Sequence, residues 1–233
     1  MQKTLVLWDI DGTLMHCGPV GAEALVLAVT EVSGSEPAGS VVMSGKTDRQ
    51  ILSELLELAG VADPHDDEVM MSALDAATRH LAGGAHRILE EGELCPGVDA
   101  VVTRLAATGT VAQTLLTGNL AANARVKVSA FELHDRIEIE AGAYGDDHLD
   151  RGALVPVALA RARQHFGQGF DLDHVWIVGD TPRDLECARA GGVRCLLVAT
   201  NSHFELEELA ALEPDAVLDD LADADRVVTL LTS

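Results

Sequence analysis

Four short apolar runs, Thr4–Trp8, Val111–Leu116, Val175–Val178 and Cys195–Val198, constrain the fold more than any other feature of the chain. They are rich in Val, Leu and Ile and show no polar alternation, as expected of parallel strands covered by helices on both faces. Helical patterns separate them at Val98–Ala107, Ala121–Phe131, Leu154–Phe166 and Asp184–Ala190, the last halted by Gly191-Gly192. Strand alternating with helix implies an α/β fold built on a doubly wound, Rossmann-like parallel sheet. A fifth run, Ile137–Ala143, carries charges and is a candidate edge strand.

Residues 15 to 95 break this rhythm. They hold helical patterns at Ala22–Val32, Arg49–Ala59 and Glu68–Leu89, with an interruption expected at Gly83-Gly84, and one weak strand candidate at Val41–Met43. Gly18-Pro19 marks the entrance to this stretch and Cys95-Pro96-Gly97 the exit. The expected organisation is a core of residues 1–14 and 96–233, with a small helical domain, residues 15–95, inserted after the first strand.

At 233 residues the chain is long enough for one such domain plus its insertion. Its formal charge of −22 disfavours partners that call for a basic surface, so neither nucleic acid nor an anionic membrane is expected. A small anionic substrate remains compatible, because screening beyond about 8 Å lets local cations decide what enters a pocket. The four cysteines form no C-x-x-C pair and lack zinc-type spacing with histidine, so they read as reduced thiols. No stretch approaches the roughly 20 apolar residues that span a bilayer, and Asp9 interrupts the N-terminal apolar run. A soluble cytoplasmic protein is expected, and its oligomeric state is not legible.

The first strand runs directly into Asp9-Ile10-Asp11-Gly12-Thr13. In extended chain, residues two apart point the same way, so both carboxylates can face one site. Gly12 permits the turn that ends the strand, and Thr13 can fix the loop by hydrogen bonding. The second strand ends in Thr117-Gly118-Asn119 and the third in Gly179-Asp180-Thr181-Pro182-Arg183-Asp184. Open parallel sheets bind ligands beyond the carboxyl ends of their strands, so Asp9, Asp11, Thr117, Asp180 and Asp184 are expected at one rim. Carboxylates that converge repel one another, and a hard divalent cation such as Mg²⁺ resolves that repulsion.

On these motifs the chain resembles the haloacid dehalogenase-like hydrolase superfamily, in the group with a helical cap after the first strand, similar to phosphoglycolate phosphatases. The resemblance implies a Mg²⁺-dependent phosphatase acting on a small-molecule phosphate monoester. Asp9 would be the nucleophile that forms an aspartyl-phosphate, and Asp11 the general acid and base. Thr117 would hydrogen-bond the phosphoryl group, with Gly12, Thr13, Gly118 and Asn119 supplying the surrounding loop contacts. Asp9, Asp180 and the backbone carbonyl of Asp11 would hold Mg²⁺, with Asp184 as an auxiliary ligand. The family usually places a lysine before the helix that leads to the third motif strand, where this chain has Arg151. Arginine supplies the charge and a fork of donors suited to phosphate. Lys127 is the rival cation, although its place in the Ala121–Phe131 pattern suggests an exposed helical face.

Other readings fit less well. An EF-hand fails because Gly12 falls at loop position four, and a P-loop around Gly45-Lys46-Thr47 fails on the spacing of its glycines. A phospho-acceptor signalling domain or a binding protein on the same scaffold is a different class, and turnover separates it from an enzyme. Within the superfamily, Asp11 argues against dehalogenase and phosphonatase chemistry, and a sugar-phosphate mutase is the alternative. In the insertion, Lys46 is a candidate contact to the substrate's leaving group, beside a helix expected to be capped by Thr47 or Asp48. Cys17 reads as packing and the acidic segment Glu205–Asp225 as solvated helix and loop.

Overall fold

The computed structural model describes residues 3–233. The strands β1 (Thr4–Trp8), β4 (Val111–Leu115), β5 (Val175–Gly179), β6 (Arg194–Val198) and β7 (Ala216–Leu218) form one parallel sheet in the order β4-β1-β5-β6-β7. Because β1 lies between β4 and β5, successive connections leave it in opposite directions. Its carboxyl end is therefore the switch point where such sheets bind ligands.

The alternation of side chains along β1 divides the core. Val6 and Trp8 join one apolar cluster with α5 (Val98–Ala107) and α10 (Ala224–Thr232). Leu5 and Leu7 join another with α7 (Leu154–Phe166) and α8 (Pro182–Gly191). Both faces of the sheet are thus dry, which is why the strands read as continuous apolar runs.

Between β1 and β4 the chain forms α1 (Val20–Ser33), α2 (Asp48–Leu58), α3 (Asp67–Gly83) and α4 (Ala85–Glu91). These four helices make the cap. Its own core includes Leu25, Val29, Leu52, Leu55, Leu56 and Leu74. Thr47 is the N-cap of α2: its hydroxyl accepts from Gln50 N at 3.3 Å, while Gln50 Oε1 accepts from Thr47 N at 3.2 Å. The two crossings into the cap pair as a short antiparallel ribbon, β2 (Met15–His16) against β3 (Glu93–Leu94). Strands of two residues are below what an apolar pattern can reveal. Among the described residues, no helix is long and apolar enough to cross a membrane.

Two strand expectations are corrected. Ile137–Ala143 is not an edge strand: Ile139–Ala141 forms a 3₁₀ turn, and only one bridge, Leu116 to Ala143, reaches the sheet. Thr114 Oγ1 and Gln113 O both bond the backbone of Glu138, which tethers the segment to β4 without a ladder. Val41–Met43 is loop, part of the chain that leads from α1 over the site to α2. At the carboxyl end, the acidic segment holds α9 (Leu206–Ala210), β7 and the start of α10, joined by loop.

Candidate active site

The Asp9 N–H donates to Val178 O at 3.0 Å, which places this residue at the carboxyl edge between β1 and β5. Ile10 O then accepts from Leu14 N at 2.9 Å and Met15 N at 3.1 Å, closing a tight turn. At its apex Gly12 has φ 87°, and a Cβ there would lie 2.4 Å from Asp180 Oδ2. Both the backbone conformation and the close approach require glycine. Thr13 Oγ1 donates to Asp180 Oδ1 at 3.0 Å, so its hydroxyl orients that carboxylate.

Asp9, Asp180 and Asp184, all buried, offer carboxylate oxygens within 4.8 Å of one another. Burial pushes the Asp9 carboxyl up to about 7, with Arg151 opposing and the charges of Asp184 and Asp11 adding to the rise. Burial and then the charges of Asp9 and Asp184 hold Asp180 well above the usual carboxylate range. Buried Arg151 relieves part of this, with a guanidinium nitrogen 2.9 Å from Asp9 Oδ1 and ion-paired to Asp184. Three hard oxygen donors in a dry, mutually repelling group fit a divalent cation such as Mg²⁺.

Asp11 is turned away from that group. Its side chain is 48% exposed, and Lys127 Nζ donates to Asp11 Oδ1 at 2.8 Å and Oδ2 at 2.6 Å. Although desolvation works against its charge, Lys127 and Asn119 hold the Asp11 carboxyl below its ordinary value. Lys127 itself is buried, not on an exposed helical face as its position in the pattern suggests. The buried face of α6 (Ala121–Ala130) is Asn123, Ala124, Lys127 and Val128, so two polar residues point inward toward polar partners. Asn119 Nδ2 bridges Asp11 Oδ2 at 2.7 Å and Thr117 Oγ1 at 2.9 Å.

The cap loop of residues 43–48 closes over this floor and leaves a cavity of about 350 Å³ that reaches Asp9, Asp11, Thr117, Lys127 and Arg151. Asp48 N donates to Gly118 O at 2.9 Å, while Asp48 Oδ2 accepts from Leu120 N at 2.9 Å and Asn123 Nδ2 at 3.1 Å. Gly118 is forced by this contact, since a Cβ would lie 2.4 Å from Lys46 O. Arg151 donates to Gly45 O at 3.2 Å. Lys46 lines the cavity but is not a free cation, because Glu54 takes its ammonium at 2.6 Å through both oxygens. Cys17 also lines it, with burial pushing its thiol up to about 12, which suits packing.

Two participants escaped the sequence reading, and the role of a third was missed. Asn201, just beyond β6, donates to Asp180 Oδ2 at 2.6 Å and to Ser44 Oγ at 3.0 Å. Thr200 Oγ1 donates to Gly12 O. The position of the fourth apolar run was the available signal, since its end must reach the same rim. Asp48, expected only as a possible cap, instead ties the cap to the core.

Residues 150–224 match the HAD-hydrolase-like family. The chain is 28% identical over 221 residues to a phosphoglycolate phosphatase of Rhodospirillum rubrum, covering 93% of this chain and 87% of that protein. Among solved structures, a HAD hydrolase of family IA, variant 3, from Entamoeba histolytica superposes with a TM-score of 0.72 at 16% identity over 100% of both chains. A protein described as a predicted phosphoglycolate phosphatase from Haemophilus somnus gives 0.69 at 18% identity, covering 97% of this chain and 98% of the other. With the Asp9-x-Asp11-Gly-Thr turn at the switch point of the sheet and four helices inserted after β1, the chain is similar in sequence and in fold to haloacid dehalogenase-like hydrolases of the capped, phosphoglycolate phosphatase-like type.

Proposed function

We propose that this protein is a phosphatase that hydrolyses a small-molecule phosphate monoester in a Mg²⁺-dependent reaction through an aspartyl-phosphate on Asp9. Residues 1–14 and 96–233 would form the catalytic core, and residues 15–95 the cap that excludes water. The observation that carries this reading is the buried group of Asp9, Asp180 and Asp184 with Arg151 paired to the nucleophile. Asp9, Asp180 and the Asp11 carbonyl would hold Mg²⁺, with Asp184 beside them. Bound there, the cation would offset charge on the phosphoryl oxygens.

The remaining steps belong to the chain's own groups. An Asp9 carboxylate oxygen attacks phosphorus as the bond to the leaving oxygen breaks, and Asp11 gives that oxygen a proton. Asp11 then takes a proton from water, whose oxygen attacks phosphorus, releasing phosphate and restoring Asp9. Thr117 Oγ1 already accepts from Asn119 N at 3.3 Å and Nδ2 at 2.9 Å, which leaves its hydroxyl proton to donate to the phosphoryl group. Gly12 and Gly118 would add backbone N–H groups.

The test is turnover of a panel of phosphomonoesters by the purified protein, with phosphoglycolate first because a relative bears that name. Phosphate release should stop on exhaustive chelation and return with Mg²⁺. Undiminished release in chelator would remove the metal from the reaction, and one stable phosphorylation without turnover would indicate a phospho-acceptor protein.

A further inference from the structure

We propose that Lys127 is a positioning residue, which holds the Asp11 carboxylate on the leaving-group side of the site and apart from Asp9, Asp180 and Asp184. This rests on the reading of Asp11 as the group that exchanges protons with the leaving oxygen and with water. Burying an ammonium is unfavourable unless it is fully paired, so packing alone does not call for a lysine at this position of α6. The pairing is complete. A lysine has three N–H donors, and here Asp11 Oδ1 takes one at 2.8 Å, Asp11 Oδ2 one at 2.6 Å and Asn119 Oδ1 one at 2.6 Å. No donor is left for a phosphoryl oxygen, which separates Lys127 from Arg151.

The grip is on both carboxylate oxygens. Two contacts to one ammonium fix the direction of the carboxylate's axis, and a further bond from outside that axis fixes its plane. Asn119 closes the frame, since its Nδ2 bonds Asp11 Oδ2 and its Oδ1 accepts from Lys127. The same amide reaches Thr117 Oγ1, so the proton-transfer group and the hydroxyl proposed for phosphate share one brace. Such a brace is needed because Asp11 is short, 48% exposed and only two residues from the buried Asp9. A general acid works only when its oxygen stays within hydrogen-bond reach of the leaving atom, so loss of orientation should appear as loss of proton transfer.

The experiment compares wild type, Asp11→Asn and Lys127→Met on alkyl and aryl phosphates with Mg²⁺ present. Lys127→Met should lower kcat/KM on alkyl phosphates by about 10- to 100-fold, part of the 10²–10⁴ that proton transfer contributes. This ratio reports the step that expels the leaving group and not the later hydrolysis of the aspartyl-phosphate. On aryl phosphates, whose leaving oxygen needs no proton, kcat/KM should fall less than about threefold. Asp11→Asn should show the same selectivity at larger amplitude. Should Lys127→Met fail to fold, Lys127→Gln keeps one donor for Asp11 and should give the same selectivity more weakly. Equal loss on both substrate classes, or a KM rise on every substrate, would overturn the inference in favour of a structural or phosphate-binding lysine. Selectivity in Asp11→Asn without it in the Lys127 variants sinks the inference alone. No selectivity in Asp11→Asn sinks the reading of Asp11, and the inference with it.

Discussion

At the scale of the residue, the two cations of the site are divided by what they already hold. Lys127 is saturated by Asp11 and Asn119, whereas Arg151 is a five-donor fork lying against Asp9 and Asp184. Arg151→Ala should therefore lower kcat by about two to three orders of magnitude, the loss typical of one preorganised transition-state donor, with a smaller change in KM. Steady-state kinetics on any accepted substrate checks this, and a near-normal kcat would take Arg151 out of the phosphoryl site. Asp9, Asp11, Thr117, Arg151, Asp180 and Asp184 were legible as site candidates because each sits in or beside a short motif at a strand or helix end. Lys127 was legible only as an outside rival. An amphipathic reading sends a lysine to solvent, and nothing local in the sequence announces that α6 turns a polar face inward toward Asp11.

Among the elements, the four long strands were readable because both faces of the sheet are covered. The missed strands are the two-residue ribbon β2–β3 and the three-residue β7, too short for any periodicity, and the helix α10 was missed as well. The Ile137–Ala143 expectation failed because the backbone of this segment bonds β4 and the loop after it only at Glu138 and Ala143, with the 3₁₀ turn Ile139–Ala141 between them. The cap loop lines the cavity through Met43, Ser44, Gly45, Lys46 and Asp48. Asp48 is buried at the start of α2, and burial raises its pKa while Lys127 and its own hydrogen bonds oppose that rise. Asp48→Ala leaves the Leu120 N–H without its acceptor, which should cost about 1–3 kcal/mol of stability. It should also loosen the cap over the Thr117–Asn119 loop and lower kcat/KM by roughly tenfold on the preferred substrate, since a misplaced closing element disrupts alignment. Urea unfolding together with kinetics separates the two effects. Lower stability with unchanged kcat/KM would make the contact purely structural.

For the whole molecule, the proposed metal site would link cation binding to folding through the carboxylate group. Asp9 moves from an ordinary value of 3.8 to about 7 on folding. Without a cation, the native state then binds more protons than the unfolded state between about pH 4 and 7, so this stability is present at acid pH and lost as pH rises through 7. Mg²⁺ needs the ionised carboxylates and should replace the proton across the same window. Saturating Mg²⁺ should raise Tm by roughly 5–10 °C at pH 8, as expected for about 100-fold excess over Kd in a chain of this size, and by much less at pH 5. Calorimetric scans at both pH values check this, and an equal or larger shift at pH 5 would contradict it. The central claim, covalent catalysis on Asp9, is tested most directly by rapid acid quench of the enzyme with radiolabelled substrate and Mg²⁺, followed by peptide mapping. The expected result is a hydroxylamine-labile phosphoryl group on the Asp9 peptide during turnover, absent from Asp9→Asn, which should also release no phosphate. Phosphate release by Asp9→Asn, or label confined to another residue, would contradict it.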